Sequence, residues 1–142
     1  MAGRAIHPKS AILLDRVIAF ASRTINLVEL LPENRVGSHI ANQLLRCGSS
    51  PAANYAEAVS AESRRDFIHK LCIALKELRE TFVWLRIIET RKLLPPQTLF
   101  DMIQECNELI SIFVASVATA RKNQKYGTIQ APLAKGLRGD ES

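Results

Sequence analysis

Gln43-Leu44-Leu45-Arg46-Cys47-Gly48-Ser49-Ser50-Pro51-Ala52-Ala53-Asn54-Tyr55-Ala56-Glu57-Ala58 is the stretch whose reading decides the fold. Leu44, Leu45 and Cys47 continue an apolar helix face that opens at Ile40, and Gly48-Ser49-Ser50-Pro51 interrupts it. Pro51 has no amide hydrogen and disfavours helical geometry at Ser50, so the helix is expected to kink here, or to stop and restart. Ser50 as N-cap and Pro51 as first helical residue suit a restart. The alanines that follow let neighbouring helices approach closely. Asn54 and Glu57, three apart, share one side of that segment.

Outward from this stretch the chain reads as helices. Helix one is expected from Lys9 to Leu31, with Leu14, Ile18, Ala21, Ile25 and Val28 as its inward stripe. Pro32 ends it and Asn34 caps helix two, which runs from about Arg35 to Ala58 or Val59. Ser63 is the N-cap of helix three, about Arg64 to Lys92, where Ile68, Leu71, Leu75, Leu78, Phe82 and Leu85 alternate three and four apart. Leu93-Leu94-Pro95-Pro96 turns the chain into helix four, with Leu99, Ile103, Cys106, Ile110, Phe113 and Val117 inward. Beyond Lys122 the pattern fades. The expected organisation is a flexible arm over 1–9, a helical bundle over 10–122 and a flexible basic tail over 123–142. Short turns favour antiparallel neighbours, hence an all-α, up-down-up-down four-helix bundle with helix two kinked near Ser50-Pro51. The apolar surface of helices three and four is wider than one seam requires, which predicts self-association.

The same residues carry a resemblance. Gln43…Arg46…Ser49-Ser50-Pro51-Ala52-Ala53-Asn54-Tyr55-Ala56-Glu57 is followed by Phe67-Ile68…Leu71 and then Ile73-Ala74-Leu75-Lys76-Glu77-Leu78-Arg79-Glu80-Thr81…Trp84-Leu85-Arg86. Together they resemble a bacterial family of small four-helix-bundle proteins that includes those encoded by intervening sequences in 23S ribosomal RNA genes. The resemblance spans roughly residues 10–122. It implies a ring-shaped homopentamer and, through a more distant similarity to the accessory protein of diversity-generating retroelements, nucleic-acid binding beside a reverse transcriptase.

Charge is unevenly placed. The net charge is +5, and the two ends hold all of it: Arg4 and Lys9 on one side, and Arg121, Lys122, Lys125, Lys135 and Arg138 against Asp140 and Glu141 on the other. Residues 10–120 are balanced overall, but helix three is basic. The expected nucleic-acid contacts are the charges read as unpaired, namely Arg64, Arg65 and Lys70 near the start of helix three, Arg91 and Lys92 at its end, and Arg121, Lys122 and Lys125 leading into the tail. No aromatic platform accompanies them, so binding should be backbone-directed and salt-sensitive. Arg46, Asn54, Glu57, Arg79, Glu80 and Arg86 are read instead as ion-paired or hydrogen-bonded residues that fix helix register within or between subunits, with Glu57 and Glu80 as partners for Arg79 and Arg86.

Other chemistries find little in the sequence. A di-iron bundle needs two Glu-x-x-His repeats, and Asp66-Phe67-Ile68-His69 is the one carboxylate-x-x-histidine pair. No phosphate loop, HExxH or nucleophile elbow occurs, so neither an enzyme nor a cofactor is expected. Cys47, Cys72 and Cys106, odd in number and dispersed, read as small core residues rather than disulfides or ligands. Arg16 and Arg23 interrupt the most apolar N-terminal stretch, so no membrane span is expected and the cytoplasm is the expected compartment. The alternative to nucleic-acid binding is a protein-interaction scaffold whose basic ends serve solubility; a metal-binding bundle is a third.

Overall fold

A computed structural model describes residues 5–136, with side chains through residue 125. Its four helices are α1 (Pro8–Glu29), α2 (Arg35–Val59), α3 (Arg64–Thr90) and α4 (Pro96–Gly136). Each is antiparallel to the next. The α1–α2, α2–α3 and α3–α4 pairs pack closely, whereas α1 and α4 meet more loosely along the remaining side. Local sequence sets the starts. Asn34 Oδ1 accepts from the Gly37 amide at 2.9 Å, and Ser63 Oγ accepts from the Asp66 amide at 3.1 Å.

The core follows a three-four spacing in every helix, but not always through the expected residues. In α1 the buried line is Val17, Phe20, Thr24 and Leu27, while Ile18 and Ile25 stand 49% and 43% exposed. The stripe therefore lies one position earlier than the isoleucines suggest, because Phe20 and Thr24 belong to it. Thr24 is buried without a polar penalty, since its hydroxyl donates to the Phe20 carbonyl at 2.9 Å. In α3 the seam passes through Ala74 and Thr81 rather than Leu75 and Phe82, which are only partly buried. Thr81 likewise donates to the Glu77 carbonyl, at 2.8 Å. In α4, Leu99, Met102, Cys106, Leu109, Phe113 and Val117 are buried, with Tyr55 edge-on to Phe113 at 5.5 Å.

Small residues hold α1 against α2. A methyl added at Gly48 would lie 2.5 Å from Thr24 Cγ2, and one added at Gly37 would lie 1.9 Å from the Pro32 carbonyl oxygen. Of the two readings of Ser50-Pro51, a kink or a stop and restart, the second does not occur: α2 continues through Pro51. The ring forfeits the bond to the Cys47 carbonyl and crowds it, so the irregularity sits inside one helix rather than between two. Ser50 is thus not an N-cap. Its carbonyl and hydroxyl instead accept from Asn54 Nδ2 at 3.0 and 2.8 Å.

The ends also differ from expectation. α1 already begins at Pro8, and α4 continues past Lys122 to Gly136. Arg121, Lys122, Gln124 and Lys125 are good helix formers that need no apolar pattern. Residues 1–4 and 137–142 of the expected flexible arm and tail lie outside the described residues. At the end of α3, Lys92 adopts φ 53°. The Lys92 amide donates to Glu89 and the Leu93 amide to Ile88, both at 3.1 Å, a closure that ordinarily favours glycine. Lys92→Gly is therefore expected to raise stability by about 0.5–1 kcal/mol. Thermal denaturation checks this; an unchanged midpoint would mean that the lysine side chain offsets the backbone cost.

Candidate nucleic-acid interface

Ion pairs sort the acids to two sides of the bundle. Arg16 of α1 takes Glu105 of α4 in a forked pair, Nε–Oε2 3.0 Å and Nη2–Oε1 2.5 Å, and also reaches Glu108 at 2.5 Å. Those carboxylates push the Arg16 guanidinium's pKa up, so it stays charged. Asp101, Glu105 and Glu108 thus face α1, where Arg23 joins them. Across α2–α3, Arg46 bonds Glu77 at 3.0 Å and also Glu80, with Gln43 at 3.1 Å. Trp84 stands behind Glu80 and meets His39 edge-on at 5.7 Å. Lys70 pairs with Glu57 at 2.5 Å.

This arrangement redistributes the predicted residues. Lys70, expected to be unpaired, has Glu57 as its partner. Glu80 and Glu57 go to Arg46 and Lys70, not to Arg79 and Arg86 as expected, because both pairs bridge the packed α2 and α3. Arg86 pairs with Glu89 at 3.0 Å within α3. Arg79 is exposed and has no carboxylate partner among the described residues.

The remaining cations fall into two groups. Antiparallel packing brings the start of α1, the start of α3 and the 119–125 part of α4 to one end of the bundle. Lys9, Arg64, Arg65, Arg121, Lys122 and Lys125 lie at that end, all exposed and none ion-paired among the described residues, against the exposed acids Glu62 and Asp66. Arg91 and Lys92 lie at the opposite end, about 40 Å away along the 27-residue α3. The predicted set is therefore one basic pole and a distant pair. Between α1 and α4 at the pole runs a mainly apolar groove of 730 Å³, lined by Ile12, Leu13, Phe67 and Ile112 with Lys9, Arg16 and Arg64 along it.

One further cation escaped the sequence reading. Lys76 and Arg79 of α3 share a cleft with Cys72, Leu75 and, from α4, Val114, Val117, Ala118 and Arg121. The signal was available in part: 72, 76 and 79 are four and three apart and share a helical face. That Arg121 meets them is a matter of helix pairing, which spacing alone does not give. Cys47 and Cys106 are fully buried, and desolvation raises both thiol pKa values, that of Cys106 to about 12. Cys72 is only half-buried.

Among the described residues no group of three metal-binding side chains occurs, and no helix is long and apolar enough to cross a membrane. The model of the family described as 23S rRNA-intervening sequence protein matches residues 9–115. The chain belongs to this family. A crystal structure of a protein of unknown function from the S23 ribosomal protein family of Bacteroides thetaiotaomicron is similar to it at 32% identity and a TM-score of 0.72. The match covers 78% of this chain and 98% of that one. No curated protein matches. In this chain Arg16 of α1 holds Glu105 and Glu108 and Arg46 of α2 holds Glu77 and Glu80, while the α3–α4 cleft is lined by Lys76, Arg79 and Arg121 without a carboxylate.

Proposed function

We propose that this member of the 23S rRNA-intervening sequence protein family is a non-enzymatic, self-associating bundle that binds nucleic acid, RNA foremost, through the phosphate backbone at its basic pole. The observation that carries this reading is the meeting of Lys9, Arg64, Arg65, Arg121, Lys122 and Lys125 at one end without carboxylate partners among the described residues. Cations already ion-paired gain less from a phosphate than free ones do. The family's description supplies the RNA context.

Self-association is supported by apolar residues on two opposite sides. Arg16 and Arg23 face α4, so Ile18 and Ile25, about 200° further round α1, emerge on the α2 side near Leu45. Val83 and Phe100, 54% and 65% exposed, lie on the outer α3–α4 surface. Two different faces per subunit are what a closed ring requires. Five subunits and a reverse-transcriptase partner rest on the resemblance; light scattering tests the first and co-purification the second.

The direct test is a salt titration with a structured RNA. If at least three phosphates are contacted, affinity is expected to fall at least about 20-fold between about 50 and 200 mM salt. A flat response would favour the scaffold reading, in which the exposed apolar faces serve protein partners.

A further inference from the structure

The α3–α4 cleft beside the pole has a chemistry that backbone contact does not use. Its floor is apolar, from Leu75, Val114, Val117 and Ala118, and its volume is 540 Å³, within the roughly 300–1,000 Å³ of small-ligand sites. Three cations edge it: Lys76, Arg79 and Arg121. No carboxylate lines it. The acids of α4 that point elsewhere are held by Arg16, and those of α3 by Arg46 and by Arg86. Arg121 Nη2 lies 3.7 Å from Cys72 Sγ, a weak bond that a phosphate oxygen would readily replace.

We infer that this cleft takes one unpaired nucleotide of a bound strand, its phosphate on Lys76, Arg79 and Arg121 and its base and sugar on the apolar floor. The inference rests on the nucleic-acid reading and adds to it a preference for unpaired over fully duplex substrate. A duplex keeps its bases stacked and offers the cleft only phosphate, whereas a splayed nucleotide also covers the floor. With no aromatic ring in the cleft, the preference extends to any base.

Cys72 reports on occupancy, because Cys47 and Cys106 are fully buried. The experiment follows alkylation of Cys72 by N-ethylmaleimide in the full chain, by mass spectrometry, while fluorescence anisotropy measures binding of oligouridylate and of a blunt RNA duplex. Saturating oligouridylate is expected to slow Cys72 alkylation at least fivefold, and the duplex to leave it unchanged. Uridine monophosphate in excess should protect, and inorganic phosphate at equal concentration should not. Lys76→Gln with Arg79→Gln should abolish protection and weaken oligouridylate about tenfold while sparing the duplex. The cleft is overturned on its own if oligouridylate binds by anisotropy while Cys72 reacts at its free rate. It is also overturned if Cys72 is inert in the free protein, or if phosphate protects as well as the nucleotide. Absence of binding by either RNA overturns the parent reading as well.

Discussion

Gly37→Ala is expected to lower the thermal midpoint by about 10 °C. The backbone at Gly37 is not in the left-handed region, so alanine is conformationally allowed and would, on helix propensity alone, stabilise by about 1 kcal/mol. Space decides against it. The new methyl carbon would sit 1.9 Å from the Pro32 carbonyl oxygen, which is backbone and cannot rotate away. That carbonyl also accepts from the Asn34 amide at 3.0 Å, while Asn34 caps the Gly37 amide. Relieving the clash therefore disrupts the cap as well, and overpacking with a lost cap comes to roughly 2–4 kcal/mol. Gly48→Ala meets a side chain instead, Thr24 Cγ2 at 2.5 Å, and Thr24→Ser should rescue it in part. Differential scanning of the variants checks both; a stabilised Gly37→Ala would show that the α1–α2 turn is looser than described.

The second large effect concerns the pole. Neutralising Arg64, Arg65, Lys122 and Lys125 together to glutamine is expected to weaken structured RNA by about 100-fold at physiological salt and to flatten the salt dependence. All four are exposed and none is ion-paired among the described residues, so folding should be unaffected. Arg91→Gln with Lys92→Gln is the matched comparison. These were equally plausible from the sequence, yet they lie about 40 Å off along α3 and should leave affinity unchanged. Filter binding at several salt concentrations separates the two sets. Equal losses from both would mean that the strand runs the length of the bundle rather than gripping one end.

Helix number, turns and caps were legible in the sequence because they depend on residues within one turn of each other. Asn34, Ser63 and the Pro95-Pro96 turn read directly. The phase of α4 was readable in most positions, since Leu99, Cys106, Phe113 and Val117 are buried, but Met102 and Leu109 take the buried places expected for Ile103 and Ile110, which are only partly buried. Phase was lost where the core uses small or hydroxylated residues. Thr24, Ala74 and Thr81 are buried because their neighbours come close, and Ile18 and Ile25 outrank them on any hydropathy scale while facing outward. At Pro51 the sequence leaves two readings open, a kink within one helix or a stop and restart, and only the packed structure, which carries the ring inside a continuous α2, decides between them. For the site, the types of residue were visible and their partners were not. Whether Glu80 serves Arg79 or Arg46 depends on which helix stands beside it.

The up-and-down topology has an electrical consequence. Neighbouring peptide dipoles run in opposite senses and largely cancel, so the lopsidedness of the molecule comes from its side chains alone. Lysine and arginine hold their protons well beyond neutrality, so their share of the end-to-end field should stay almost constant from neutral to mildly alkaline solution. A polyanion would feel that field before touching the surface and turn the protein end-on. Added salt should then slow the encounter more than it shortens the lifetime of what has formed.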